Sequence, residues 1–581
     1  MGEITFTKLK KNCKKDMSGV KECRLAIMGD CATQHLATAI RGYGVEEGIH
    51  FEVFDADYNQ IDAQLLDPES EFYQFEAQFA LIYMCSEKLY HSFCETEQKA
   101  GFADMVYQKI RTYWDLINTH VHVNIIQFTF VETDDRVFGN YASKTQASFL
   151  YQVKKLNFLL MNGSQEVKNV FLMDLNYIEA QYGRAAVYDD KLYYIAKMPL
   201  STAVLPEVAR QVTDIVKAIS GRIKKCVITD LDNTLWGGVI GDDGLEGIQI
   251  GELGLGHAFE EFQMWLKELK SRGIILAVCS KNNEDTAKEP FLKHPEMVLH
   301  LDDFSMFVAN WEDKASNIRY IQETINIGMD SIVFLDDNPF ERNQVRSMIP
   351  DITVPELPED PAMYLSYLKR LNLFETASYS ESDKDRTKQY QAEIERTVSR
   401  QQYQNYDEYL QSLGMVAVAK PFDKFHYPRI AQLTQRSNQF NLRTVRYTEA
   451  EIEALAANDH FLTLYFMLKD QFGDHGLISV VILEKRDDET LFMYNWLMSC
   501  RVLKRGMEEF IINKVIETAR ENGYRKVIGE YIRTPKNAMV RDIYAKLGFK
   551  ELGDGLFEAD VDTFVQNKTF IKIEEGKEEQ Q

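Results

Sequence analysis

Residues 226–229 (Cys226, Val227, Ile228, Thr229) form a short apolar and β-branched run, bounded by Lys224 and Lys225 and followed at once by Asp230 and Asp232. The run predicts a buried strand. Side chains alternate along a strand, so two acids one residue apart can share one side as the chain leaves the sheet. Open parallel sheets bind ligands at the carboxyl ends of their strands. Two adjacent anions there need a compensating cation, and a hard divalent ion such as Mg2+ is the simplest one.

Three further stretches complete the pattern. Residues 274–280 are a second apolar run that ends in Cys279 and Ser280, with Lys281 and Asn282 behind it. Lys314 leads into a predicted helix, and residues 331–335 form a third run closed by Asp336 and Asp337. A lone Asp-x-Asp after an apolar run is usually a turn or a helix cap. Its coincidence with a hydroxyl, a lysine and a second acid pair at further strand ends or helix starts points instead to phosphoryl transfer, in which positioning and charge neutralisation dominate.

Asp230, Asp232 and Thr234, with Ser280, Lys314, Asp336 and Asp337, resemble the four motifs of the haloacid dehalogenase superfamily of phosphotransferases. The following segment, Leu235 and Trp236 with Gly237, Gly238, Gly241, Asp242, Asp243 and Gly244, resembles the FkbH-like branch, and that likeness extends over most of the chain. It implies glyceryl transfer from 1,3-bisphosphoglycerate to an acyl carrier protein in polyketide assembly. In that scheme Asp230 is the nucleophile and Asp232 the general acid and base. Thr234, Ser280 and Lys314 hold phosphate oxygens. Asp230, Asp232, Asp336 and Asp337 form the Mg2+ site. Cys279, beside Ser280, is a candidate thiol for carrying the acyl group. Glycines after Thr234 allow a flap over the site, and little chain is left there for a large cap.

At 581 residues the chain should hold roughly three or four domains. The expected fold class is α/β: a Rossmann-like core at 222–370, an SGNH-like α/β domain at 20–200 and a GNAT-like mixed α/β domain at 405–568. In the first segment, strand-like runs alternate with helical ones, which predicts a parallel sheet. Gly29, Asp30 and Cys31, with Gly139 and Asn140, are faintly similar to SGNH hydrolase blocks, Cys31 standing at the nucleophile position. No Asp-x-x-His block follows near Asp174, so a binding or docking module is the favoured reading of this segment. An amphipathic helix opening at Pro206 should join it to the core, and residues 381–402 read as a charged helical connector.

In the last segment, Arg501, Lys504, Arg505 and Gly506 before a helix resemble the pyrophosphate loop of GNAT acyltransferases, and Asn537 and residues 544–549 resemble that family's C-terminal half. Amides at a helix start cradle phosphate, which would suit coenzyme A or a carrier's phosphopantetheine. Lys504 stands where the first glycine of that loop belongs. Cys500, like Cys31 and Cys279, is a further candidate nucleophile.

A net charge of -23 argues against nucleic acid or an anionic membrane as partner. A carrier-protein patch would have to be locally basic. Eight scattered cysteines without metal-ligand spacing suit a reducing cytosol. The first residues lack a signal-peptide layout, and no apolar run reaches the roughly 20 residues of a membrane span. Two alternative activities suit the same residues: a plain small-molecule phosphatase, and an N-acyltransferase acting on a sugar amine through the last segment. A non-enzymatic scaffold is disfavoured by the intact acid set.

Overall fold

The computed structural model describes residues 4–133, 135–379, 391, 396, 403, 405–499 and 502–574. The chain divides into two compact units, Met1–Lys217 and Ala218–Gln581. The middle and last segments expected from sequence therefore share one unit. Most of the expected connector at 381–402 lies outside the described residues.

The first unit is built on five strands, β1 (Glu22–Gly29), β2 (His50–Asp55), β3 (Phe79–Tyr83), β4 (Asn124–Phe128) and β5 (Val170–Met173). Their order is β2-β1-β3-β4-β5 and every pairing is parallel. Parallel sheets are covered by helices on both faces, which explains why every residue of β3 is buried. The helix Phe102–His120 places Trp114 in this core. Its indole donates to Gln127 Oε1 at 3.2 Å, so that buried N–H is satisfied.

In the second unit, β6 (Cys226–Thr229), β7 (Ile275–Ser280), β8 (Met306–Ala309) and β9 (Ile332–Leu335) form another parallel sheet, ordered β8-β7-β6-β9. Strand alternation sorts its apolar residues into two cores. Val227, Leu276, Val278, Val333 and Leu335 meet Phe262, Leu266 and Phe291 on one face. Cys226, Ile228, Ala277, Cys279 and Phe334 meet Ile318, Ile321 and Val345 on the other. The acids then leave the carboxyl edge of a sheet whose strands are fixed from both sides.

Eight more strands, β10 (Val416–Lys420), β11 (Phe461–Asp470), β12 (Gly473–Lys485), β13 (Thr490–Met498), β14 (Lys526–Glu530), β15 (Lys550–Gly553), β16 (Leu556–Asp560) and β17 (Lys572–Ile573), form a mixed sheet ordered β15-β16-β14-β13-β12-β11-β10-β17. β13 and β14 pair in parallel only from Thr490 to Met493. Beyond that point the chain's own residues 440–442 lie alongside β13: Met498 N donates to Phe440 O at 3.0 Å and Leu442 N to Trp496 O at 3.1 Å. The same strap accepts from the other side, from Ile532 N at Leu442 O (2.9 Å) and from Asn537 Nδ2 at Asn441 O (3.0 Å). The α/β class expected from sequence is the one observed, with two wholly parallel sheets and one mixed sheet. No helix among the described residues is long and apolar enough to cross a membrane.

Candidate active site

Asp230 is the first residue past β6, and its N–H donates to Leu335 O at 2.9 Å. The parallel pairing with β9 thus runs one residue beyond the strand and sets Asp230 beside Asp336. Asp230, Asp336 and Asp337 each offer a carboxylate oxygen, all within 4.8 Å of one another. Lys314 begins the helix Lys314–Ile325, whose N-cap Asp313 accepts from Ser316 N. Its ammonium lies 2.6 Å from Asp230 Oδ2 and 2.5 Å from Asp336 Oδ2.

The charges in this group act on one another. Burial, then the neighbouring Asp230 carboxylate, pushes Asp336 up to about 6. Asp337 is raised by the same two causes in the same order. Burial alone would lower Lys314, but Asp230 and Asp336 outweigh it and hold the ammonium above its ordinary range. One lysine cannot neutralise three acids. Asp230 Oδ1 is also buried with no hydrogen-bond partner, a costly state for a carboxylate oxygen unless something binds there. Three hard oxygen donors and an orphaned one fit a divalent cation such as Mg2+.

Other side chains fix this geometry. Thr234 is buried; its hydroxyl donates to Asp337 Oδ1 at 3.3 Å and accepts from Asp337 N at 3.1 Å. It therefore orients an acid, where sequence placed it on phosphate. Arg342 donates to the carbonyls of Asp336 (2.8 Å) and Asp337 (2.6 Å) and clamps the turn that carries both. Lys281 pairs with Glu341 at 2.6 Å. Ser280 is buried at the end of β7.

The Asp232 carboxylate does not join the acid cluster, which corrects the reading of four carboxylates at the metal site for this side chain alone. Asn233 adopts φ +53°, and the loop turns Asp232 away. Its Oδ1 accepts from Trp236 Nε1 and Ile240 N, each at 3.0 Å, and its Oδ2 from Asn282 Nδ2 at 3.1 Å. Burial, and to a lesser degree Asp230, raises its pKa, which favours a carboxyl able to hold a proton. The roles of Asn282, Trp236 and Arg342 were missed in the sequence. Asn282 follows Ser280 by two residues, so its position was in view but its target was not.

Cys279 is also corrected. Alternation along β7 turns it into the core with Ile318, and burial raises its thiol pKa far above the ordinary range. Thiolate is the reactive form, so this cysteine is a packing residue. Cys31 is likewise buried, close to Asp30 and Cys85, and burial raises its pKa. Cys500 and Arg501 lie outside the described residues.

The loop read as a pyrophosphate cradle is occupied by the protein itself. Arg505 is buried, with Nη1 3.3 Å from His475 Nε2 and 3.6 Å from Asp470 Oδ2. Gly506 caps the helix Met507–Glu521 at φ +81°. Glu508 in that helix's first turn accepts from Lys504 N at 3.0 Å, so a carboxylate holds an amide that a phosphate would need. The charge that should attract coenzyme A is thus drawn inward to Asp470. Asn537 anchors the strap instead, as its side-chain amide donates to Asn441 O.

Residues 24–217 match the family described as FkbH, N-terminal domain. The crystal structure of the N-terminal part of protein BF1531 from Bacteroides fragilis, containing a phosphatase domain complexed with Mg, is 50% identical. It covers 65% of this chain and 100% of its own, with a TM-score of 0.62. The chain therefore belongs to the same family as that protein, with an FkbH N-terminal domain ahead of its phosphatase-type core. The ribosomal-protein-S18-alanine N-acetyltransferase of Escherichia coli matches at 16% identity, over 25% of this chain and 94% of its own, with a TM-score of 0.21. No curated protein matches the sequence.

Proposed function

We propose that this protein is a Mg2+-dependent phosphatase and phosphotransferase that uses Asp230 as its nucleophile. Its substrate would be a phosphorylated three-carbon acyl compound, 1,3-bisphosphoglycerate, and the acceptor an acyl carrier protein. The observation that carries the reading is the orphaned Asp230 Oδ1 beside Asp336 and Asp337, with Lys314 buried between the carboxylates. Asp230, Asp336 and Asp337 would hold Mg2+, which supplies positive charge to screen the incoming phosphate from the acids.

Asp230 Oδ attacks the phosphorus of the C3 phosphate ester; a new O–P bond forms and the bond to the C3 oxygen breaks, which leaves the acyl phosphate at C1 intact for the transfer step. Asp232, steadied by Asn282 and Trp236, gives its proton to that oxygen. It then takes one from the water that cleaves the aspartyl phosphate. Ser280 and Lys314 bind the phosphoryl oxygens. The acyl group moves when the carrier's phosphopantetheine thiolate attacks the acyl carbon and phosphate departs. Because Cys279 is sealed in the core, it does not carry the acyl group on its way to the carrier.

Intact-mass spectrometry of the carrier tests the reading. The protein, Mg2+, a 1,3-bisphosphoglycerate-generating system and phosphopantetheinylated carrier should yield a glyceryl adduct, absent with Asp230→Asn and retained with Cys279→Ala. Phosphate release from simple esters without any adduct would leave the plain phosphatase. That second reading is favoured by the sequestered Arg505 and Glu508, which count equally against coenzyme A and N-acyl transfer.

A further inference from the structure

In the first unit, the carboxyl ends of β1 and β3 meet where the strand order reverses, with β2 on one side of β1 and β3 on the other. Open parallel sheets place their ligands at such a switch point. Asp30 N donates to Tyr83 O at 3.2 Å, which carries the pairing of Gly29 with Tyr83 one residue further. A Cβ on Gly29 would lie 2.9 Å from Cys31 O, so glycine is what lets the chain fold back this closely. Ala32 N donates to Lys197 O at 2.8 Å and Thr33 Oγ1 to Asp55 Oδ1 at 2.6 Å, which pins the turn from two further sides.

This turn gathers residues that are far apart in the chain. An Asp30 carboxylate oxygen, Cys31 Sγ and Cys85 Sγ lie within 4.8 Å of one another, and all three residues are buried. Asp30 Oδ1 accepts from Cys85 N at 2.8 Å, which fixes the carboxylate against the second cysteine. A separate observation points to a ligand. Tyr83 is 2% exposed, yet its hydroxyl has no hydrogen-bond partner among the described residues, and Glu87 Oε2 is in the same state. Such groups are costly to bury unless something bound there satisfies them. After burial, the groups that raise the Tyr83 hydroxyl are Cys31, Tyr188, Cys85 and Glu87, so it stands in their surroundings. A cavity of about 230 Å³, walled by Asp30, Asn59, Met84 and Lys88 among others, gives an ion its path to the carboxylate.

We infer that Asp30, Cys31 and Cys85 form a zinc site, with two sulfur ligands, one carboxylate oxygen and water in the fourth tetrahedral position. Ligands of one zinc stand about 3.5–4 Å apart, a spacing these three donors reach by small side-chain rotations. Thiolate sulfur selects Zn2+, whereas the all-oxygen set at Asp230 suits Mg2+. Binding releases the two thiol protons to solvent. One divalent ion against two thiolates and a carboxylate leaves a single negative charge, beside the Lys88 ammonium that donates to Asp30 O at 3.3 Å. The Tyr83 hydroxyl and Glu87 Oε2 gain in the bound water the partner they lack. The inference is independent of the chemistry proposed for Asp230.

Co2+ titrated into the full chain, with excess Mg2+ and a phosphine reductant present, provides the test, because thiolate ligands give a charge-transfer absorption that an all-oxygen site does not. The expected result is one equivalent of Co2+ bound with that band and the visible bands of a tetrahedral ion, bleached when Zn2+ displaces it. Asp230→Asn should keep the band, so this site and the phosphatase reading fail separately. Cys85→Ser should weaken Co2+ binding by more than about tenfold. If that variant fails to fold, X-ray absorption at the zinc edge of the unsubstituted chain should show two sulfur neighbours at about 2.3 Å. No thiolate band at one equivalent, unchanged affinity in folded Cys85→Ser, or a zinc edge without sulfur would overturn the site.

Discussion

Replacing Lys314 by methionine keeps the length and apolar stem of the side chain and removes only its charge. Lys314 is 3% exposed, and the carboxylates it bridges, Asp230 and Asp336, are 11% and 0% exposed. Breaking a buried ion pair by removing one partner costs about 3–5 kcal/mol, because the remaining charge is left unpaired in a poorly polarisable site. Asp336 already stands at about 6, raised by burial and Asp230, and loss of the lysine raises it further. It therefore takes up a proton near neutrality, which sets the expected deficit at the lower end, about 3 kcal/mol at pH 8. The deficit should be smaller at pH 5.5. Denaturant unfolding in EDTA and in saturating Mg2+ measures it. In Lys314→Met the metal would meet more uncompensated negative charge than in the parent, so Mg2+ should recover most of the lost stability while phosphate-ester turnover stays low. A deficit below about 1 kcal/mol in EDTA, or one of equal size with and without Mg2+, would refute the placement of Lys314 against the metal-binding acids.

Asp232→Asn should lower turnover by about 10²–10⁴ while Mg2+ affinity is nearly kept, since Asp232 lies outside the acid cluster; steady-state kinetics and metal titration separate the two. Cys279→Ala should keep turnover within about twofold and cost about 1 kcal/mol of stability, as expected for a packing residue. His475 is buried neutral, its pKa lowered to about 4 chiefly by burial. Its folded value lies below its unfolded one, so the unfolded chain binds the proton first as pH falls. The stability this histidine contributes is complete above about pH 6.5 and is lost on the way down to pH 4. That shift corresponds to about 3 kcal/mol, and pH-resolved unfolding of the parent and His475→Gln should show the loss in the parent alone.

The strands that carry the chemistry were legible because each is a bare apolar run with its polar residue at the end, as at residues 226–232 and 331–337. The short strand β8 passed unseen: Met306–Ala309 offers four residues and no distinctive pattern. Alternation alone places Cys279 in the core, a consequence of strand geometry that outweighs its closeness to Ser280 in the chain. The fate of Asp232 was not legible, since it depends on the backbone turn at Asn233 and on Asn282, fifty residues away. Arg505 misled for a similar reason. Its motif is local, whereas the Asp470 carboxylate that draws it inward belongs to another strand.

The central claim is that phosphate passes through Asp230 under Mg2+. Rapid acid quench of the protein with a phosphate ester, followed by borohydride reduction and peptide mass mapping, reads this directly. The account predicts a reduced aspartyl phosphate at Asp230 only, formed with Mg2+ and absent in EDTA. Turnover undiminished in EDTA, or an adduct on any other residue, would contradict it.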